Sequence, residues 1–204
     1  MIKNLLFDFG DIFINLDKPA TIRAMKRFGL THVTDEMANT NNAYEKGRIT
    51  TLEFVSYYQK LFPNATKQQL VDAWNAIILD FPEYRLEFIE ALAKTKKYRL
   101  FLLSNTNELH IEKVMNTMSM TRYNRFKNCF EAFYLSHEIH LRKPDKNCFE
   151  WVLNKNNLIA EETLFIDDTL ENIQTAMALH IKAWHLHPEI DDIVNLNNLS
   201  VLTI

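Results

Sequence analysis

Cysteine is scarce in this chain of 204 residues: only Cys129 and Cys148 occur. They lack the paired spacing of a zinc site and the number needed for a disulfide framework, so they read as reduced thiols used for packing. No apolar run approaches the ~20 residues needed to cross a bilayer. The opening Met1–Phe7 stretch meets Asp8 and Asp11 before a signal-peptide core can form. Neither sign of charge is in excess, with 23 Lys and Arg against 26 Asp and Glu scattered along the chain. That distribution excludes the basic face of a nucleic-acid binder and recommends no acidic membrane surface. Internal repeats and low-complexity tracts are absent as well. The expectation is a cytoplasmic protein with no nucleic-acid or membrane partner.

What is abundant is apolar side chain, 47% of residues, ample for a continuous core. Short β-rich runs at Asn4–Phe9, Tyr98–Leu103, Ala132–Leu135, Thr163–Ile166 and Ile181–Leu186 each stop at a polar cluster. Near-continuous hydrophobicity of this length suits strands covered on both faces. Between them, Glu83–Lys94 and Thr169–Leu179 carry apolar residues at helical spacing, Ile173, Ala176 and Met177 among them. Strands alternating with helices predict an α/β fold with a doubly wound parallel sheet. The stretch 16–82 breaks the alternation: it holds no comparable strand, reads as several amphipathic helices, including one at Leu52–Phe62, and ends near the Phe81-Pro82 turn. It is expected to be a small helical insertion after the first strand, leaving 1–15 and 83–204 as the core.

In an open parallel sheet, residues just beyond the carboxyl ends of the strands converge even when far apart in sequence. The first strand leads into Asp8-Phe9-Gly10-Asp11, the second into Ser104-Asn105-Thr106-Asn107, and a later one into Asp167-Asp168-Thr169; a further loop holds Arg142-Lys143-Pro144-Asp145. Grouped carboxylates form a hard oxygen site of the kind that takes magnesium, which keeps waters and completes its shell with phosphate oxygens. A nearby lysine offsets the negative charge. Successive strand residues point to opposite faces, so one of Asp167 and Asp168 should hold the metal and the other support it.

These four segments, Asp8-Phe9-Gly10, Leu103-Ser104-Asn105, Arg142-Lys143-Pro144 and Ile166-Asp167-Asp168, resemble the four motifs of the haloacid dehalogenase superfamily, in order, between Leu5 and about His185. Within it the chain is most similar to the branch of α-glucose-1-phosphatase-type sugar-phosphate phosphatases and epoxide hydrolase phosphatase domains. Leu103–His110, Tyr134-Leu135-Ser136 and Asn172-Ile173 carry that likeness, as does Glu45–Thr50 of the helical cap.

The resemblance implies a Rossmann-like core with a helical cap and a magnesium-dependent phosphatase acting on a small phosphorylated metabolite. Asp8 would attack phosphorus and be transiently phosphorylated. Magnesium would be held by Asp8, Asp168 and the backbone carbonyl of Gly10, with Asp167 and Asn172 orienting that site. Ser104 and the Asn105 amide would bind phosphoryl oxygens, and Lys143 would bridge Asp8 and phosphate. Arg48, Tyr44 and Lys46 lie where a cap could reach over the substrate, although charged residues on a helical insertion are more often simply solvated. The chain departs from the family at Gly10, where many relatives place an aspartate that protonates the leaving group. Asp11 could act there through water or be a plain turn residue. None of the seven histidines forms a convincing ligand pair.

Other readings share parts of the pattern. A dehalogenase attacks carbon with the same aspartate and also does without an acid at position 10, but has no need of an Asp167-Asp168 metal shell. A phosphoacceptor signalling domain places its acidic pair after the first strand and has no cap. A non-catalytic binding protein is the alternative from another class, with Gly10 marking lost activity.

Overall fold

Leu5, Leu6 and Phe7 are all fully buried, which requires cover on both sides of the strand they form. The computed structural model, which describes residues 1–199, builds that cover from alternating strands and helices. The strands are β1 (Asn4–Phe7), β2 (Arg99–Ser104), β3 (Ala132–Leu135), β4 (Thr163–Asp167) and β5 (Lys182–His185). The helices are α1 (Ala20–Lys26), α2 (Asp35–Glu45), α3 (Thr51–Leu61), α4 (Lys67–Asn75), α5 (Glu83–Thr95), α6 (Glu108–Met118), α7 (Met120–Lys127), α8 (Ser136–Ile139), α9 (Lys146–Lys155) and α10 (Leu170–Ala178).

All four strand pairings are parallel, in the order β3-β2-β1-β4-β5. This is the doubly wound, Rossmann-like α/β fold. Alternate residues serve opposite faces, as the pleat demands. Leu5, Phe7, Leu102 and Ile166 join the core under α5, α6 and α7, whereas Leu6, Phe101, Leu103 and Phe165 join the core under α9 and α10. The order reverses between β1 and β4, and a ligand crevice opens at such a switch point. Asp8 follows the first of these strands, and Asp167 ends the second.

The first strand is shorter than its apolar run. Asp8 N–H still donates to Ile166 O at 2.8 Å, but Phe9 O then accepts from Phe13 N–H, and the chain turns instead of continuing to Phe9 as an extended strand. An aromatic cluster holds this turn from below: Phe126 lies 5.2 Å from Phe9, 4.9 Å from Phe13 and 4.9 Å from Phe81 between ring centroids.

Helices α1 to α4 lie between β1 and α5 and share their own core, centred on Phe54, Tyr58 and Trp74. Local chemistry starts them: Thr50 and Thr66 cap α3 and α4, each in a reciprocal box with the residue three further on, Glu53 and Gln69. The segments entering and leaving this region pair with each other, Leu16 bridging to Ile78 and Asn15 N–H donating to Asp80 O at 2.9 Å. Among the described residues no helix is long and apolar enough to cross a membrane.

Candidate active site

The ends of three strands, β1, β2 and β4, and the loop before α9 meet in a cleft of about 390 Å³. At its floor Lys143, 1% exposed, donates to Asp8 Oδ1 and Asp167 Oδ2, each at 2.7 Å. The Phe165 ring lies 5.2 Å below its ammonium. Asparagine 105 fixes the backbone that carries this lysine: its Nδ2 donates to Lys143 O at 2.8 Å, and its Oδ1 accepts from Lys143 N–H at 2.9 Å. The following Lys143-Pro144 bond is cis.

The two acidic neighbours divide their work. Asp167 is fully buried and saturated: Oδ1 accepts from Thr169 N–H at 2.7 Å, Asn172 Nδ2 reaches both oxygens, and Lys143 takes the rest. Asp168 turns its carboxylate to the cleft, where it meets Lys18, while His185 Nε2–H donates to its backbone carbonyl at 3.0 Å. Asp8, Asp167 and Asp168 each present an oxygen within 4.8 Å of the others.

Burial pushes the Asp8 carboxyl up to about 7; the Lys143 ammonium pulls the other way, and Asp167 adds to the rise. Burial also opposes the charge on Lys143, but its two carboxylates outweigh that and hold it above the ordinary lysine range. Three carboxylates around one buried ammonium leave net negative charge, and hard oxygen donors of this kind fit a magnesium ion.

Several residues named from the sequence do not line the cleft. Arg48 is exposed and absent from the cleft lining. Tyr44 is packed in the core of the helical region, stacked on Phe54 at 4.2 Å. Lys46 does not line the cleft; it pairs with Asp145 at 2.6 Å, next to the Glu45–Arg142 pair at 2.5 Å. Both pairs fasten the end of α2 to the loop that carries Lys143. Ser104, 3% exposed, ends β2 directly before the cleft-lining Asn105. Asp11 is a turn residue: φ is +55°, Oδ1 accepts from Leu16 N–H at 3.0 Å, and Oδ2 pairs with Lys18 at 3.0 Å.

Three residues of this site escaped the sequence reading. Lys18 lines the cleft between Asp11 and Asp168. Leu16 fills the space a side chain at position 10 would use, its Cδ1 lying 2.7 Å from where a Cβ on Gly10 would stand. His185 steadies the Asp168 loop. No spacing rule points to any of them, because Leu16 and Lys18 reach the cleft only through the turn after β1, and His185 touches the Asp168 backbone from the edge strand β5.

The motif order and this geometry define a class, and comparison with known proteins supplies it. The chain matches the haloacid dehalogenase-like hydrolase family model over residues 5–185 and belongs to that family. It is 25% identical over 185 residues, 88% of this chain and 89% of the relative, to a D-ribitol-5-phosphate phosphatase of Bacteroides thetaiotaomicron. Among solved structures it resembles a HAD family enzyme from the same organism in a magnesium complex, with a TM-score of 0.84, 31% identity, and 97% and 99% of the two chains covered. The wild-type form of that enzyme in complex with magnesium and inorganic phosphate aligns at a TM-score of 0.78 with 31% identity, covering 94% of this chain and 97% of the other.

Proposed function

We propose that this protein is a magnesium-dependent phosphomonoester hydrolase acting on a small phosphorylated metabolite, a sugar or polyol phosphate, through phosphorylation of Asp8. The observation that carries the reading is the buried Asp8–Lys143–Asp167 chain beside the cleft-lining Asp168. The likeness to a ribitol phosphate phosphatase and to magnesium- and phosphate-bound relatives supports the substrate class.

Asp8 Oδ attacks phosphorus; the Asp8–phosphorus bond forms as the ester P–O bond breaks, and the electron pair leaves with the alcohol oxygen. Water then attacks phosphorus, the Asp8–phosphorus bond breaks, and inorganic phosphate departs, restoring the carboxylate. Lys143 keeps Asp8 oriented and offsets phosphate charge. Asp8, Asp168 and the Gly10 carbonyl would hold magnesium, which when bound draws negative charge from the phosphoryl oxygens. Asp167, saturated by Lys143, Thr169 and Asn172, holds the ammonium and the loop in place. Ser104 and the Asn105 amide are assigned to the phosphoryl oxygens, and residues 16–82 act as a cap over the core at 1–15 and 83–204. The free thiols Cys129 and Cys148 suit a reducing, cytoplasmic setting.

The test is phosphate release from sugar and polyol phosphates, nucleotides and an activated aryl phosphate, with magnesium or with chelator, by wild type and Asp8→Asn. Release that requires magnesium and is abolished by Asp8→Asn is the expected result. A folded wild type that releases phosphate from none of them would instead be a binding protein.

A further inference from the structure

A departing aliphatic alkoxide needs a hydrogen-bond donor aimed at it, or its loss is slow. The cleft offers few candidates. Position 10 is glycine, and the apolar Leu16 fills the space its side chain would take. The Asp11 carboxylate is engaged by Leu16 N–H and Lys18. Arg142 is held by Glu45 and by Lys143 O, and Lys143 is enclosed by its two aspartates. Glu171 would repel a phosphate ester.

That leaves Lys18. Its ammonium sits between Asp11 and Asp168, yet its side chain is 56% exposed at the mouth of the same cleft. Asp168, which it touches, has an oxygen within 4.8 Å of one on Asp8. Asp11, fixed at a left-handed turn by Leu16 N–H, anchors Lys18 independently of Asp168.

We propose, resting on the phosphatase reading above, that Lys18 is a further catalytic residue, the cation that binds the ester oxygen of the leaving alcohol. The ester P–O bond breaks as the Asp8–phosphorus bond forms. The electron pair stays on the alcohol oxygen, which accepts a hydrogen bond from Lys18 Nζ and takes its proton from water, while Lys18 remains an ammonium. The site therefore suits poor leaving groups such as polyols, even with glycine at position 10.

The experiment compares wild type, Lys18→Met and Lys18→Arg on a polyol phosphate and on p-nitrophenyl phosphate, whose phenolate leaves unaided. For Lys18→Met, kcat/KM on the polyol ester should fall about 100-fold, and about tenfold or more beyond any fall on the aryl ester, as expected for loss of one oxyanion donor. Lys18→Arg should recover part of that loss. Calorimetric magnesium binding to Lys18→Met should be no weaker than to wild type. Equal losses on both esters, or weakened magnesium binding, would overturn the proposal and make Lys18 a support for Asp168. If Asp8→Asn abolishes wild-type turnover while Lys18→Met leaves the leaving-group preference intact, this inference alone fails. If wild type hydrolyses neither ester, the phosphatase reading fails with it.

Discussion

Asp167 and Asp168 are adjacent in sequence and opposite in circumstance. The first is sealed in the protein and satisfies a buried ammonium, so removing its charge strands half of an ion-pair network; the second, 6% exposed, pairs at the cleft with a lysine that is 56% exposed and keeps water as an alternative partner. Asp167→Asn is therefore expected to lower unfolding free energy by about 3 kcal/mol, as measured by urea denaturation. Asp168→Asn should change it by less than about 1 kcal/mol while sharply weakening magnesium binding in calorimetry. The reverse pattern would exchange their roles. That one of the pair supports the other was legible from strand alternation; which one came only from the family resemblance, which assigned the metal to Asp168 and the supporting place to Asp167 with Asn172. The answer depends on Asn172 and Lys143 arriving at Asp167 from other elements, and sequence does not display that convergence. For the same reason Lys18 went unseen while Asp11 drew attention: one is remote from every motif, and the other sits beside Asp8 but spends its carboxylate on the turn.

At the scale of elements, all five strands announced themselves: β1, β2 and β4 because strands buried on both faces must be apolar throughout, and the half-buried edge strands β3 and β5 by shorter apolar runs. Their ends shifted where the chain turns, as at Phe9. The turn rests on Phe126, which is fully buried among Phe9, Phe13, Phe81 and Phe130. Phe126→Ala should destabilise the protein by about 3–5 kcal/mol in the same denaturation assay, and a cost below about 1 kcal/mol would mean that the cluster refills. Contacts between elements were the least legible part. At the junction of α4 with α6, the His110 ring stacks on Trp74 at 5.2 Å. It donates from Nε2 to Trp74 O at 3.3 Å and faces Asn107 Nδ2 at 3.1 Å through Nδ1. Burial lowers His110 from the ordinary 6.5 to about 4, so the folded state holds it neutral. Between those values the unfolded chain binds the extra proton, and stability from this group is lost as pH falls from about 6.5 towards 4. Thermal melts across that range should show a steeper acid loss for wild type than for His110→Gln. Parallel curves would remove His110 as the cause.

Across the whole molecule, two groups of contacts fasten the helical region to the sheet and its helices. Trp74 and Tyr44 meet the start of α6, and Glu45 and Lys46 meet the loop that carries Lys143. Gly47 allows this approach: φ is +60°, and a side chain there would run into His137 O. The helical region thus bears directly on the loop that supplies the cleft's buried lysine, and fold and chemistry share one set of contacts. The account's central claim is that Asp8 carries the phosphoryl group. The most direct measurement is mass spectrometry of peptides from wild type and Asp8→Asn, acid-quenched during turnover of a polyol phosphate with magnesium. A phosphate's added mass on the peptide containing Asp8 in wild type, absent from the variant, is the result expected. Phosphate release with no modified Asp8 peptide, or with the group on Ser104, would contradict it.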